Sequence, residues 1–281
     1  MKPLPALRAA GRAASFLSYI TGAILGQTVR LRLSKTARTR RARADWLQRV
    51  AAGCARILHL KINRFGTLPN SGLIVANHLS YIDIILLAAQ RPCVFVSKEE
   101  VRSWPIFGRC ASLGGTIFID RKHRGDVAAV ADVMRAALDE GVLVVLFPEG
   151  TSSGGSSVLP FKSSLLEPAM HVSHPVTAIA LSYALAEGSV PNEICYWRDM
   201  TLLPHLLNVW IKSLIYATLR CGIARPRQGD RKSLARELHD EVAALHAASS
   251  RELGMGLPQP VEQPTPILVS RLPAAAEAQR P

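Results

Sequence analysis

The segment "LIVANHLSYID", residues 73–83, joins an apolar run to a histidine and an aspartate five positions apart. Helical steps of about 100° would place His78 and Asp83 on different faces of one helix, so they can meet only across a strand-to-helix junction. Such a junction forms if Ser80 is the N-cap of a helix that begins at Tyr81, because Asp83 can then reach back to the loop. A serine followed three residues later by an acid is also a capping-box pattern, which needs no chemistry.

The alternation of strand-like and helix-like segments continues beyond this junction. Apolar runs predict strands at residues 73–76, 94–96, 116–119, 142–147, 176–181 and 213–221. Helical spacing of apolar residues predicts helices at 81–90, 126–138 and 231–246. Continuous apolar strands separated by helices indicate an α/β fold, with a single catalytic domain whose largely buried sheet is flanked by helices.

Composition narrows the classes of partner. The 281 residues carry a formal net charge of +13, and 48% of them are hydrophobic. The mean hydropathy of +0.16 favours an anionic bilayer over nucleic acid, and neither zinc-finger spacing nor an aromatic RNA-binding motif is present. The five scattered cysteines form no CxxC pair, which predicts a reducing compartment and no structural metal.

The first 60 residues are predicted to form a membrane-associated helical hairpin. Residues 13–29 are uncharged, a length that suits an interfacial or re-entrant helix and is the lower limit for a spanning one. Residues 44–60 place apolar side chains at helical spacing, although a helix packed on a soluble domain would show the same pattern. Basic residues are more frequent just after the 13–29 stretch, so a spanning helix would leave the catalytic domain at the cytoplasmic face of the cell membrane.

Two further boundaries complete the predicted domain organisation. The catalytic domain is expected over residues 61–252. The Pro- and Ala-rich residues 253–281 lack periodicity and are predicted to be a disordered tail.

Three polar signatures each follow a predicted strand directly: His78 to Asp83, then Asp120 with Arg121, then residues 148–151. In open α/β sheets, ligands bind at the carboxyl ends of the strands, so the three loops are expected to converge on one site. Each signature also has an ordinary structural explanation, such as a surface arginine or a turn glycine.

Residues 150–154, "GTSSG", match the G-x-S-x-G pattern of serine hydrolases. A nucleophile elbow must lead straight into a helix, whereas a Gly- and Ser-rich loop with a proline follows here. A serine hydrolase using Ser152 is therefore an alternative, and a non-catalytic basic membrane-binding protein is another.

Four blocks in order, "NHLSYID", "GGTIFIDR", "FPEGTSS" and "HPVTAIAL", resemble the lysophospholipid and glycerolipid acyltransferases over roughly residues 60–250. The resemblance implies that His78 is the general base and that Asp83 orients it. It also implies that the acyl acceptor is bound by Arg121 and the Glu149 loop. The expected substrate-binding residues are Arg121, Glu149, Gly150, Thr151 and Lys162.

This chemistry suits transfer of an acyl group from a thioester, on acyl carrier protein or CoA, to a lysolipid hydroxyl. A histidine base activates the hydroxyl, and backbone amides near Gly150 could stabilise the oxyanion. No metal or redox cofactor is expected. The expected partners are anionic membrane lipids, the lysolipid acceptor and acyl carrier protein, without nucleic acid.

One departure from the family pattern bears on the acceptor. The third block usually has arginine where this sequence has Ser152, so Arg121 and Lys162 must carry a phosphate contact unless the acceptor lacks a phosphate monoester. The block and the loop after it look more like the branch that acylates lyso-ornithine lipids. Lysophosphatidic acid and lyso-ornithine lipid both remain candidates.

Overall fold

The computed structural model describes residues 3–120, 124–170 and 174–254. The strands are β1 (Leu60–Phe65), β2 (Leu73–Ala76), β3 (Cys93–Lys98), β4 (Ile117–Ile119), β5 (Leu143–Leu146), β6 (Val176–Ala184) and β7 (Ile215–Cys221). The helices are α1 (Pro3–Leu33), α2 (Arg40–Ile57), α3 (Ile82–Gln90), α4 (Phe107–Gly114), α5 (Arg124–Asp139), α6 (Ser163–Met170), α7 (Val190–Glu193), α8 (Leu202–Ile211) and α9 (Arg231–Gly254).

The seven strands form one sheet in the order β1-β7-β6-β2-β5-β3-β4. Strands β2 to β6 run parallel to one another, whereas β7 is antiparallel to β6 and parallel to β1. The carboxyl ends of β2, β5 and β3 therefore meet at one edge, where the crevice of an open α/β sheet binds ligands. The predicted α/β class is confirmed.

Apolar side chains cover both faces of the sheet. One cluster joins the sheet to α1, α2, α3, α4 and α8, with Phe95, Leu86 and Trp210 among its buried members. The second joins it to α5, α6 and α9 around Met134 and Leu166. Each strand of the interior is thus buried on both sides, which explains why β2 and β5 consist wholly of buried residues.

The two N-terminal helices differ in what their apolar residues contact. In α2, Trp46, Leu47 and Val50 are buried in the first cluster, so its apolar face packs on the protein. In α1, Phe16 and Ile20 are buried, but Leu25 and Val29 are 61% and 53% exposed. The packing interpretation of the periodicity is therefore correct for α2, whereas α1 keeps an outward apolar face.

No helix within the described parts of the chain combines the length and the apolar character needed to cross a membrane. The predicted tail, residues 253–281, lies almost wholly outside the described residues, which end at Gly254.

Candidate active site

His78 and Asp83 meet across the junction between β2 and α3. His78 lies in the loop and Asp83 in the first turn of the helix, and Nδ1 of His78 is 2.8 Å from Oδ2 of Asp83. The histidine side chain is 23% exposed and the aspartate is fully buried. With Nδ1 held by the carboxylate, Nε2 is the ring nitrogen that is available as a base.

Asp83 is held by three further donors. The backbone amides of Leu79 and Ser80 donate to Oδ2 at 2.6 and 3.0 Å. The hydroxyl of Tyr183, on β6, donates to Oδ1 at 2.6 Å, and burial raises the pKa of that hydroxyl well above its usual value. The carboxylate is therefore fixed from both the loop and the neighbouring strand.

The predicted helix start needs a correction. The helix α3 begins at Ile82, and its N-cap is Tyr81, which makes no side-chain cap. The buried Ser80 hydroxyl has no partner among the described residues, and the Ser80 amide instead donates to Asp83. The side chain of the aspartate thus supplies one half of a capping box while it also orients His78.

Two buried polar residues fix the histidine loop to the sheet. Asn77 exchanges two hydrogen bonds with the backbone of Leu181 on β6, at 3.0 and 2.7 Å. Glu149 accepts from the His78 amide at 3.0 Å and is only 2% exposed. Because burial opposes ionisation more strongly than the backbone hydrogen bonds favour it, the pKa of Glu149 rises to about 8.

His78 lines a cavity of about 290 Å³ together with Phe147, on which its ring stacks at 4.3 Å. A second cavity of about 120 Å³ lies between α1, α2 and α4 and is almost wholly apolar. The two cavities share six lining residues: Tyr81, Ile84, Phe95, Ser97, Val101 and Trp104. The cavity of His78, which has a larger share of polar lining, thus adjoins an almost wholly apolar one across a common wall.

The loop after β5 forms part of the catalytic cavity through Gly150, Thr151 and Ser152. Gly150 adopts a φ of 69°, and its amide donates to the Phe147 carbonyl at 3.1 Å, so this amide is used within the turn. The Ser152 hydroxyl donates to the Tyr196 carbonyl. The chain stays irregular until α6, as predicted from the loop sequence, and this argues against a nucleophile elbow.

The two cationic residues predicted to bind the acceptor are not among the described residues that line the cavity of His78. Arg121 lies outside the described residues, and its neighbour Asp120 lines shallow pockets beside β4. Lys162 has an exposed side chain and is not one of the described residues that line the cavity of His78. Lys98, at the end of β3, does line that cavity. A lysine at the carboxyl end of an apolar strand could have been predicted as a cavity residue from the sequence, by the same rule that was applied to the other three loops.

The comparisons with known proteins agree with the four sequence blocks. Residues 61–182 match the Acyltransferase family. The lyso-ornithine lipid O-acyltransferase of Brucella abortus is 34% identical over 221 residues, which are 73% of this chain and 82% of that protein. The 1-acyl-sn-glycerol-3-phosphate acyltransferase of Neisseria gonorrhoeae is 30% identical over 190 residues, 64% of this chain and 71% of that protein. The chain belongs to the acyltransferase family.

The fold of this acyltransferase is similar to a solved structure. The crystal structure of the 1-acyl-sn-glycerophosphate acyltransferase PlsC from Thermotoga maritima superposes with a TM-score of 0.66. The match covers 91% of this chain and 100% of that one at 20% identity, so it concerns the fold alone. The predicted membership of the glycerolipid acyltransferases is confirmed, and the enzyme is similar to 1-acylglycerol-3-phosphate acyltransferases.

Proposed function

We propose that the chain is a membrane-bound O-acyltransferase that moves a fatty acyl group from a thioester to a lysolipid hydroxyl in membrane lipid biosynthesis. The observation that carries this proposal is the hydrogen-bonded pair of His78 and Asp83 in the wall of a cavity that adjoins an apolar one. A base is thus placed beside a space suited to an acyl chain.

In the proposed reaction, Nε2 of His78 takes the proton of the lysolipid hydroxyl as its oxygen attacks the thioester carbonyl. The tetrahedral intermediate then collapses, the C–S bond breaks, and the imidazolium returns the proton to the leaving thiolate. Asp83 stabilises the imidazolium that forms. Atoms and charges balance without a metal or redox cofactor, so we propose none, and the donor is acyl carrier protein or CoA carrying the acyl chain.

The apolar cavity is the proposed place for the acyl chain. Phe95 and Trp104 line both cavities, so a chain whose carbonyl carbon lies near His78 can extend between them. Apolar burial of the chain would favour binding by roughly 0.8 kcal/mol for each buried methylene.

The acceptor head group is proposed to contact polar residues of the cavity of His78. Thr151, Ser152 and Lys98 line this cavity, and Arg121 is the predicted second cation. A site with hydroxyls in place of a second guanidinium suits an amino-acid head group at least as well as a phosphate monoester. The similarity to lyso-ornithine lipid O-acyltransferases supports the same choice, so we propose that lyso-ornithine lipid is used at least as well as lysophosphatidic acid.

Attachment to the membrane is proposed to occur through α1. Its outer surface carries no charged residue from Ala13 to Val29, and Arg30 and Arg32 follow at its end, where they can contact anionic head groups. We propose an interfacial position on the cytoplasmic face of the cell membrane. Residues 1–60 would then form the attachment region and residues 61–252 the catalytic domain.

The decisive experiment measures thioester consumption by the purified protein against a panel of lysolipids, with mass spectrometry of the products. Transfer to a lysolipid is expected from an acyl carrier protein thioester, from a CoA thioester or from both. Ser152→Ala should leave the chemical step largely intact. An inactive Ser152→Ala variant, together with a wild-type acyl-enzyme trapped on Ser152, would favour the serine hydrolase instead.

A further inference from the structure

We propose that α8 contacts lipid as well, and that the partner of its outer face is an anionic phospholipid bilayer. This proposal rests on the proposed membrane attachment of α1 and extends the attachment to an element about 170 residues further along the chain. It would make the attachment surface a product of the folded chain, because α1 and α8 come together only after folding.

The sequence of α8, "LLPHLLNVWI", contains no Lys, Arg, Asp or Glu. Its inner face is buried through His205, Val209 and Trp210. On its outer face Leu203 is 65% exposed and Leu207 is 47% exposed. An uncharged helix with two exposed leucines one turn apart is typical of an interfacial helix and is unusual for a water-facing one.

The helix α8 lies against α1. The guanidinium of Arg12 donates to the carbonyls of Trp210, Lys212 and Ser213, and that of Arg8 donates to the carbonyl of Ile211. These carbonyls belong to the last two residues of α8 and to the two residues that follow it, where intrahelical donors are absent. Two cations of α1 therefore satisfy the end of α8 and hold the two helices together.

Both helices carry exposed apolar side chains. Leu203, Leu207 and Ile211 are spaced four residues apart and so form one row along α8. The row ends at Ile211, whose carbonyl accepts from Arg8, and Leu7, the sequence neighbour of Arg8, is 76% exposed. The two helices that are joined by Arg8 and Arg12 therefore each have exposed apolar residues.

Charge favours lipid over a second copy of the chain as the partner. The formal net charge of +13 opposes self-association and favours an anionic surface. Just before α8, the exposed Arg198 stacks on the ring of Trp197 at 4.0 Å. A tryptophan and an arginine beside an apolar helix are the residue types enriched at the membrane interface.

The inner face of α8 supports the catalytic cavity. Nδ1 of His205 is 2.9 Å from the Tyr81 hydroxyl, and Nε2 is 3.0 Å from the Cys195 carbonyl. Tyr81 lines both the catalytic and the apolar cavity. A bilayer that covers the outer face of α8 would therefore lie one helix away from the wall of the site that receives a lipid acceptor.

The test places an environment-sensitive fluorophore on α8 in the full chain. Leu207→Cys is labelled, and Ile223→Cys is the matched control. Ile223 is 79% exposed and follows the C-terminal end of β7, whereas α8 precedes the N-terminal end of that strand. The native thiols give little background: Cys54, Cys93, Cys110 and Cys195 are buried, Cys221 is partly buried, and burial raises the pKa of all five. The probe surface is vesicles of phosphatidylcholine with phosphatidylglycerol.

We expect the label at 207, but not at 223, to shift to shorter wavelength on vesicles and to be protected from an aqueous quencher. The double variant Leu203→Ser with Leu207→Ser should weaken partitioning to the vesicles by about tenfold or more, and Ile223→Ser by less than about twofold. Both should retain their melting transition and their transfer activity with a short-chain, monomeric lysolipid.

Three results would overturn the proposal. If wild-type protein floats with the vesicles while the label at 207 behaves as at 223, α8 does not contact lipid, although attachment through α1 stands. If wild-type protein does not float, both membrane proposals fail, and lysolipid transfer in solution shows separately whether the enzymatic proposal holds. If the label at 207 shifts without vesicles and the sedimenting mass doubles, the outer face of α8 binds a second copy.

Discussion

The His78–Asp83 pair and the exposed lining of its cavity are held in different ways. Asp83 is fully buried and receives hydrogen bonds from His78, from two backbone amides and from Tyr183. Thr151 and Lys98, which line the cavity of His78, have exposed side chains. The pair is fixed by the packed sheet, whereas the exposed lining can be changed with little effect on packing.

If the proposed mechanism holds, this difference separates the chemical step from recognition of the acceptor. Substitutions at the buried pair should lower kcat for every acceptor, because they act on the proposed base. Substitutions in the exposed lining should change the ratio of kcat/KM between acceptors and leave the chemical step in place.

The largest effect is expected from the catalytic pair. His78→Ala should lower kcat by about 100- to 10,000-fold because the general base is lost, and Asp83→Asn should approach that loss. Single-turnover transfer and a melting curve measure the two consequences separately. His239→Ala, at a partly exposed histidine on α9, is the control. Normal turnover by folded His78→Ala protein would refute the mechanism.

The next effect concerns recognition of the acceptor by the loop after β5, where Ser152 is half-buried and lines the cavity. Ser152→Arg should shift the preference toward lysophosphatidic acid by about ten- to a hundredfold in relative kcat/KM, since one charge-assisted contact contributes roughly 1.5 to 3 kcal/mol. Competition between lysophosphatidic acid and lyso-ornithine lipid gives the ratio directly. Ser156→Arg, at an exposed serine of the same loop, should leave the ratio unchanged. A wild-type enzyme that already strongly prefers lysophosphatidic acid, with no gain in Ser152→Arg, would contradict the role given to this position.

A smaller effect is expected at Tyr183, which positions Asp83. Tyr183→Phe keeps the ring and removes one donor to the carboxylate, so kcat should fall about tenfold with little change in KM. Tyr216→Phe on β7 is the matched control. A wild-type kcat in Tyr183→Phe would show that the hydroxyl has only a packing role.

The smallest effect on catalysis is expected at Glu149, where stability is the sensitive quantity. Its pKa of about 8 in the fold lies above the ordinary value of 4.5, so its contribution to stability is complete below about pH 4.5 and is lost as pH rises to about 8. Glu149→Gln keeps the acceptor for the His78 amide and removes this dependence. We expect the free energy of unfolding of the wild type to fall by about 1–4 kcal/mol more than that of Glu149→Gln between pH 5 and pH 8, as measured by denaturant unfolding.

The control for that measurement is Glu100→Gln, at an exposed carboxylate, which should follow the wild-type pH dependence. If Glu149→Gln loses stability with pH in parallel with the wild type, the buried carboxyl is not responsible for the slope.

The sheet could largely be predicted because its strands are continuous apolar runs. Strand β2 has the predicted bounds, and α5 and α9 contain the predicted helical segments. Strand β1 was missed because "LKINRF" alternates with charged residues at an edge of the sheet. The helix α8 was missed because its apolar residues lie on both the inner and the outer face, so the segment, which also contains Pro204, shows no helical periodicity.

The site could be predicted only where its residues are close in sequence. His78 and Asp83 lie five positions apart, and their meeting follows from a single junction. Tyr183 lies 100 positions from Asp83, inside an apolar strand, where the sequence gives no sign that its hydroxyl has a charged partner. The same limit applies to His205, which lies 124 positions from Tyr81 and shares a hydrogen bond with its hydroxyl.

The pairing of β1 with β7 has a consequence for synthesis of the chain. Its register places Leu60 opposite Ile215, so a strand made early must wait until most of the chain has left the ribosome before it can pair. Parallel pairing across so long a loop is slow to form, because the entropy of loop closure is lost before the contacts are gained. Until then, α1 lacks α8, with which it packs in the folded chain. Apolar surface of α1 is exposed in this state, so a nascent chain would need a chaperone or, if the proposed membrane attachment holds, early arrival at the bilayer to avoid aggregation.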